Sequence, residues 1–207
     1  MARSKRIQFL ATLTKGYDTV LDVGTDHGFV LKEALDKGFI KKGIASDIKE
    51  GPLNQAKENL VDYPVEFVLS DGFKNIKNHY DLAIIAGMGA FTMNDILDEA
   101  THHDVVYLLQ ANDRHEILRR YLSEHDFKIV DEYVLYDGFY YVIIKAQRGQ
   151  MKLSEKEIYL GPVLQHKHEA KPYYLQKLET LKEIVEKADE TKKETLETLI
   201  GYLNSVL

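Results

Sequence analysis

Residues 20–28 read VLDVGTDHG, an apolar run that passes through Asp22 into Gly24 and a tight turn. A buried strand followed by a glycine turn is typical of the first strand-to-helix connection in an open α/β sheet. Gly24 has no Cβ atom and tolerates positive φ angles, so it would let the backbone approach a ligand. The Gly-x-x-x-Gly spacing differs from the dinucleotide motif G-x-G-x-x-G and from a P-loop with its lysine. A strand-to-helix turn without a ligand is the alternative interpretation.

Strand-like and helix-like segments alternate from this stretch to residue 127. The predicted strands cover residues 19–23, 43–46, 65–69, 82–86 and 105–109. Their alternation with helices indicates right-handed βαβ units and a buried parallel sheet. Residues 128–135 and 139–145 are joined by a short Asp-Gly segment, which predicts an antiparallel hairpin. We therefore predict an α/β fold with a seven-stranded, mostly parallel, Rossmann-like sheet, an arrangement that resembles class I methyltransferases.

The pattern changes near residues 148–152. We expect residues 1–150 to form one domain and residues 151–207 to form a C-terminal helical domain. Ser154 and Glu157 form a capping-box pattern, and Gly161-Pro162 should interrupt the helix that follows. Apolar residues then recur at intervals of three and four through residues 174–188 and 196–206, which predicts an α-helical hairpin with a coiled-coil-like seam.

The composition excludes several classes of protein. The net charge of -6 argues against a wholly basic nucleic-acid binder but permits a local basic patch. The absence of cysteine excludes disulfides and thiolate metal sites, and the eight histidines lack metal-ligand spacing, so we predict no metal site. No apolar run approaches the ~20 residues of a membrane span, and the N-terminus lacks the apolar segment of a secretory signal. We expect a cytoplasmic protein without a membrane partner.

Acidic residues follow the first three predicted strands. Asp47 ends the second strand, and an acid there can accept hydrogen bonds from both ribose hydroxyls of adenosine, in NAD and S-adenosylmethionine sites alike. Asp71 follows the third strand and could accept a hydrogen bond from the adenine amino group. Asp22 and Asp26 beside the first turn disfavour a pyrophosphate and suit the cationic tail of S-adenosylmethionine. A helix cap at Asp47 and a simple turn at Asp71 are the alternatives.

The fourth and fifth strands end in groups suited to a methyl acceptor. Residues 86–90, AGMGA, follow the fourth strand at the edge where open α/β sheets bind ligands. Residues 108–112, LLQAN, end the fifth strand, and Gln110 and Asn112 offer amide donors and acceptors suited to the edge of a base. A helix cap is an equally good interpretation of Asn112 alone.

Together these motifs resemble the bacterial tRNA (adenine(22)-N(1))-methyltransferase family. The similarity runs along the chain and covers Ser4-Lys5-Arg6, Asp22-Val23-Gly24-Thr25-Asp26-His27, Gly51-Pro52, Ile85-Ala86-Gly87-Met88-Gly89, Gln110-Ala111-Asn112 and residues 153–164. The resemblance implies a class I methyltransferase fold with S-adenosylmethionine as cofactor. It also implies methylation of N(1) of an adenosine at position 22, in the D-arm region of tRNA.

The motifs and the resemblance also predict roles for individual residues. Asp26 and Asn112 are the predicted catalytic residues, and Asp26 would stabilise the positive charge that forms on the methylated base; holding the cofactor or capping the turn are its alternative roles. The predicted cofactor-binding residues are Asp22, Gly24, Asp26, His27, Asp47, Ile48, Asp71, Gly72, Gly87 and Met88. The predicted tRNA-binding residues are Arg3, Lys5, Arg6, Gln110 and Asn112.

Other interpretations stay open at this point. A small-molecule methyltransferase would keep the same cofactor residues, and a non-catalytic RNA-binding protein would use the helical hairpin as its interface. An NAD-dependent oxidoreductase is disfavoured by the glycine spacing and the terminal hairpin. We expect a monomer that binds tRNA, with Lys171, Lys177 and Lys182 gripping the tRNA body. A structural role for these helices, and a solvated basic helix at the N-terminus, are the alternatives.

Overall fold

The computed structural model describes residues 4–100 and 104–207. The strands are β1 (Thr19–Val23), β2 (Lys42–Asp47), β3 (Val65–Leu69), β4 (Leu82–Met88), β5 (Val106–Ala111), β6 (Phe127–Asp137) and β7 (Phe139–Arg148). The helices are α1 (Lys5–Leu13), α2 (Phe29–Asp36), α3 (Glu50–Asn59), α4 (Ala90–Asp98), α5 (His115–Glu124), α6 (Glu155–Leu160), α7 (Lys171–Val185) and α8 (Glu190–Asn204). Two short 3₁₀ turns, Leu164–His166 and His168–Ala170, lie between α6 and α7.

The strands form one seven-stranded sheet in the order β3-β2-β1-β4-β5-β7-β6. Strands β1 to β5 pair in parallel, whereas β7 runs antiparallel to both of its neighbours. The predicted mostly parallel α/β sheet with a terminal hairpin is therefore confirmed. The hairpin is tighter than predicted, because Asp137 already pairs with Phe139 and only Gly138, with φ of 80°, lies between the strands.

The apolar strands β1 and β4 are covered on both faces, as expected for the centre of a parallel sheet. Successive residues of a strand point to opposite faces, and Val20 and Leu21 accordingly belong to two different hydrophobic clusters. Ile84 and Ile85 are divided between the same two clusters. The sheet is thus the middle layer between α1 to α3 on one side and α4 to α8 on the other.

The helices beyond residue 150 share a core with the sheet. Leu160, Tyr174, Leu178 and Leu203 are buried in the same hydrophobic cluster as Leu21. Helices α7 and α8 pack against each other as the predicted hairpin. The division at residue 150 stays a prediction, and the apolar cluster is continuous across it.

A buried ion pair attaches the first of these helices to the sheet. Arg119 of α5 donates to Glu132 of β6 at 2.7 Å, and both side chains are at most 1% exposed. The other carboxylate oxygen of Glu132 accepts the backbone N–H groups of Val163 and Leu164, each at 2.9 Å. Arg119 also donates to the carbonyl oxygen of Ile158 at the end of α6. The pair therefore satisfies backbone groups where α6 stops, which a helix end needs when it is buried.

Gly161 makes room for this pair. Its φ is 102°, and a Cβ atom on it would lie 2.6 Å from Glu132 and 2.8 Å from Arg119. The predicted capping box of Ser154 and Glu157 starts α6, and Gly161 ends it. Within residues 4–100 and 104–207, the structure contains no helix that is both long and apolar enough to span a membrane.

We predict that Glu132→Gln destabilises the protein by about 3–5 kcal/mol, because it leaves the Arg119 charge buried without its partner. Urea unfolding followed by circular dichroism measures the loss. The matched control is Glu155→Gln, which breaks the exposed ion pair of Arg120 with Glu155 and should cost about 0–1 kcal/mol. Equal losses in the two variants would show that the buried pair does not anchor the helices.

Candidate functional site

A cavity of about 410 Å³ opens at the carboxyl ends of the parallel strands. Neighbours β1 and β4 connect to helices on opposite faces of the sheet, so their loops diverge and leave a crevice between them. The cavity extends from this crevice over β2 and β3 and along α4. It is lined by Val23, Gly24, Asp47, Ile48, Ser70, Asp71, Gly72, Lys74, Met88, Thr92, Asp95, Ile96 and Glu99.

The structure brings most of the predicted cofactor residues together at this cavity. Those that line it are Gly24, Asp47, Ile48, Asp71, Gly72 and Met88. Four other predicted cofactor residues are not part of its lining. Asp22, Asp26 and His27 lie on the β1 side of the crevice, and Gly87 lies on the β4 side beside Met88.

Gly24 allows β1 and β4 to end in contact. Its φ is 73°, and a Cβ atom on it would overlap the terminal methyl group of Met88. The N–H groups of Gly24 and Thr25 both donate to the carbonyl oxygen of Ser46 at 2.8 Å. These two N–H groups are therefore already hydrogen-bonded to β2. A ligand at this turn would contact its backbone surface and its acidic side chains.

Asp22 is a buried carboxylate beneath this turn, 6% exposed. Burial, assisted by the negative charge of Asp47, raises its pKa to about 6. The hydroxyl group of Thr25 donates to Asp22 at 2.7 Å and opposes that rise, as does the positive charge of Arg6. A carboxylate held in this way favours a cation placed next to it, since the cation would offset the cost of burial.

Asp47 and Asp71 are each partly engaged within the chain. One oxygen of Asp47 accepts the backbone N–H of Lys49 at 2.8 Å, which closes a turn before α3; Lys49 is the N-cap residue and α3 has no side-chain cap, so Asp47 does not cap the helix. Asp71 forms an ion pair with Lys74 at 2.7 Å, and this hydrogen bond raises the pKa of Lys74. With Asp95 and Glu99 also present, carboxylates outnumber cationic groups around the cavity. Such a lining suits a cationic ligand better than a pyrophosphate.

Four lining residues on α4 and its C-terminal cap were not among the predicted site residues. They are Thr92, Asp95, Ile96 and Glu99. Their spacing of three, one and three places them on one face of a helix. That periodicity, directly after the AGMGA segment, is the sequence signal that could have found them.

Asp26 and His27 lie at the open end of the β1 turn. The side chain of Asp26 is 83% exposed, and its carboxylate lies 3.2 Å from the His27 ring. His27 has a φ of 60°, unusual for a residue with a side chain, and its ring stacks on Phe29. The amide of Asn59 donates to the His27 carbonyl oxygen at 3.0 Å and ties the turn to α3.

On the other side of the crevice, the end of β5 holds the predicted acceptor residues. Gln110 is fully buried and Asn112 is exposed. Asn112 donates through Nδ2 to the carbonyl oxygen of Gly87 at 2.8 Å. Arg6 reaches across from α1 and donates to Oε1 of Gln110 at 2.8 Å. Strand β5 runs to Ala111, so Gln110 lies within the strand rather than in the loop after it.

The remaining basic residues are placed differently from one another. Lys5 is exposed, and Arg3 lies outside the described residues. Lys171 donates to the carbonyl oxygen of Leu207, and Lys177 lies over the ring of Tyr159 at 4.2 Å. Of the three lysines predicted to grip tRNA, Lys182 alone is exposed. No group of His, Asp or Glu side chains suited to a metal ion occurs among the residues that the structure describes.

Comparison with known families assigns the chain. The sequence profile of the family described as tRNA (adenine(22)-N(1))-methyltransferase matches residues 20–204. The chain belongs to this family. A candidate tRNA methyltransferase from Mycoplasma pneumoniae is 31% identical to it over 151 residues, which cover 69% of this chain and 71% of the relative.

Solved structures show the same fold and the family's cofactor. A Streptococcus pneumoniae protein, a candidate tRNA (m1A22) methyltransferase in complex with S-adenosyl-L-methionine, has a TM-score of 0.86 and 29% identity, with both chains covered completely. The Bacillus subtilis m1A22 tRNA methyltransferase has a TM-score of 0.83 and 25% identity, covering 99% of this chain and 98% of its own. The predicted family, fold and cofactor are thereby confirmed.

We predict that Asp22→Asn stabilises the protein above about pH 6. The pKa of folded Asp22 lies above its ordinary value of 3.8, so deprotonation favours the unfolded chain. The penalty grows as pH rises from about 4 to 6, and removing it should gain about 1–3 kcal/mol at pH 7.5. At pH 4 the gain should vanish. Urea unfolding at the two pH values measures it, with the exposed Asp62→Asn as control; an equal effect at both values would contradict the argument.

Proposed function

We propose that this chain transfers the methyl group of S-adenosylmethionine to N(1) of adenosine 22 in tRNA. The observation that carries the proposal is the convergence of Gly24, Asp47 and Asp71 on one acidic cavity at the diverging loops of β1 and β4. Its volume is in the range of cofactor sites, about 300–1,000 Å³. Family membership favours tRNA over a small-molecule acceptor and over a non-catalytic role.

The lining suggests how the cofactor lies. Asp47, at the end of β2, would accept hydrogen bonds from the ribose hydroxyls. Ile48 and Ile96 supply apolar surface for the adenine ring, and Asp71 would accept from its amino group. The buried Asp22, beneath the β1 turn, would favour the cationic amino-acid tail on that side of the crevice. This orientation places the sulfonium near Gly24 and Met88, where the methyl group meets its acceptor.

When bound, S-adenosylmethionine supplies a methyl group on sulfur that a nucleophile can attack in line. N(1) of adenine has an in-plane lone pair. Because N(1) lies on the base-pairing edge, the base must leave its stack before N(1) can reach the opening of the crevice. Asn112 and the Gly87 carbonyl oxygen lie where that edge would enter. Their contribution is to hold the base in line with the methyl group, which supplies much of the acceleration.

The methylated base carries a positive charge until its amino group loses a proton. Asp26 is the carboxylate proposed to stabilise that charge. Its exposure, at 83%, leaves it free to contact an incoming base at the open end of the turn. Gln110 acts on the same base through Asn112, because its amide donates to Asn112 Oδ1 at 3.3 Å.

The proposal also covers the location of the protein, its oligomeric state and the roles of its two segments. The tRNA substrate of the family favours a cytoplasmic location. Because one chain supplies both sides of the crevice, a monomer would contain a complete site. Residues 1–150 would hold the cofactor and the target base, and residues 151–207 would extend the surface available to the tRNA body.

The proposal is tested with labelled S-adenosylmethionine and an unmodified tRNA transcript, followed by mapping of the modified nucleoside. We expect one methyl group per tRNA, at N(1) of adenosine 22. A transcript with guanosine at that position is the matched control and should accept no label. Calorimetry should show binding of S-adenosylmethionine and none of NAD. Cofactor binding without methylation of tRNA would overturn the proposed substrate.

We predict that Asp26→Ala lowers turnover by about 10²-fold or more while changing the affinity for S-adenosylmethionine little. The reason is that this exposed carboxylate would contact the base, whereas the cavity that holds the adenosine moiety does not include it. Single-turnover methylation and calorimetry give the two quantities. Equal losses in turnover and in cofactor affinity would assign Asp26 to the cofactor instead.

A further inference from the structure

The guanidinium group of Arg6 points into the protein, toward the acceptor side of the crevice. Its Nη1 atom donates to Oε1 of Gln110 at 2.8 Å, and its Cζ atom lies 5.3 Å from the centre of the Tyr141 ring. The same Nη1 atom lies 3.4 Å from the position that a Cβ atom of Gly87 would occupy. The Arg6 side chain thus extends from α1 toward β5 and the end of β4.

The start of α1 is built to hold Arg6 there. Ser4 caps the helix by accepting the N–H of Ile7. The backbone N–H of Arg6 donates to the carboxylate of Asp137 at 3.3 Å, which ties the helix to the tip of the β6–β7 hairpin. A phosphate anchor would need a free guanidinium on a solvated helix, whereas this one donates to Gln110 of β5 and lies over the Tyr141 ring of β7.

The contact with Gln110 has a direction. Arginine carries only donors, so the amide of Gln110 must present its oxygen to Arg6. The Nε2 atom of Gln110 then faces away and donates to the Ala111 carbonyl oxygen at 3.0 Å and to Oδ1 of Asn112 at 3.3 Å. Asn112 in turn must direct its Nδ2 group toward the Gly87 carbonyl oxygen. Arg6 therefore requires the same orientation of the two amides as the Ala111 and Gly87 carbonyl oxygens, and it is the charged group that acts on them.

The orientation matters for the chemistry at N(1). In the observed arrangement Oδ1 of the exposed Asn112 accepts from Gln110, and its second lone pair could accept a hydrogen bond from the adenine amino group. If both amides turned over, the NH₂ group of Asn112 would face the base and donate to the N(1) lone pair. That lone pair must be free to attack the methyl group, so the reversed arrangement would block the reaction.

We propose that Arg6 is a positioning residue that orients the Gln110 and Asn112 amides so that the acceptor mouth receives adenine with N(1) unblocked. The inference rests on the proposed function, and it replaces the role of phosphate anchor with one inside the site. Lys5, the exposed neighbour on the same helix turn, keeps the role of contacting phosphate.

The test compares Arg6→Lys, Arg6→Gln and Lys5→Gln in the full chain with the unmodified tRNA transcript. Both Arg6 variants should lower kcat between about 10- and 100-fold, with KM for tRNA and affinity for S-adenosylmethionine near wild type. The slope of log Kd for tRNA against log salt should stay unchanged. Lys5→Gln should instead reduce that slope by about one and should lower kcat less than the Arg6 variants do.

A double-mutant cycle keeps the test informative if Arg6 variants are less stable. When Arg6 acts through Gln110, adding Arg6→Gln to Gln110→Ala should lower kcat no further. Independent, multiplicative losses would overturn the inference, as would wild-type kcat in Arg6→Lys or a smaller salt slope in Arg6→Gln. Wild-type protein that methylates no tRNA would instead refute the proposed function, so the two failures are distinguishable.

Discussion

The methyl group of Met88 lies in the space that Gly24 leaves by having no side chain. This contact lets β1 and β4 end side by side at the point where their loops turn to opposite faces of the sheet. On one side of it lies the acidic cavity over β2 and β3, and on the other lie the amides at the end of β5. Donor and acceptor can therefore occupy adjoining spaces, separated by little more than the Met88 side chain.

Charge is distributed differently on the two sides of the contact between Gly24 and Met88. Around the cavity, carboxylates prevail, and burial keeps the pKa of Asp22 at about 6, close to the point where a bound cation can alter its protonation. On the acceptor side the charged group of Arg6 donates to the buried amide of Gln110. These environments suit a cationic cofactor and the neutral base of the proposed function, and in our proposal Arg6 sets the polarity of the second.

A second buried cation performs a structural task. Arg119 and Glu132 join α5 and β6 to the end of α6, and Gly161 supplies the space between them. Such a pair gives little net stability over apolar packing, but removal of either partner is costly. Because apolar contacts of α7 and α8 continue the same core, the helical hairpin is held at a defined angle to the sheet and hence to the mouth of the site.

The alternating pattern of the sequence was enough to predict the strands and the reversed terminal hairpin. It also located the acids at the ends of β1, β2 and β3. Burial on both faces of a strand and glycine in a turn are local requirements, so they can be recognised in the sequence. The helical period of Thr92, Asp95, Ile96 and Glu99 was also visible, but it could not show which face meets the cavity. Only the tertiary structure decided the roles of Arg6 and Glu132. Their partners lie 104 and 13 residues away, and a charged side chain is interpreted from sequence as solvated until the fold brings a buried hydrogen-bond partner within its reach.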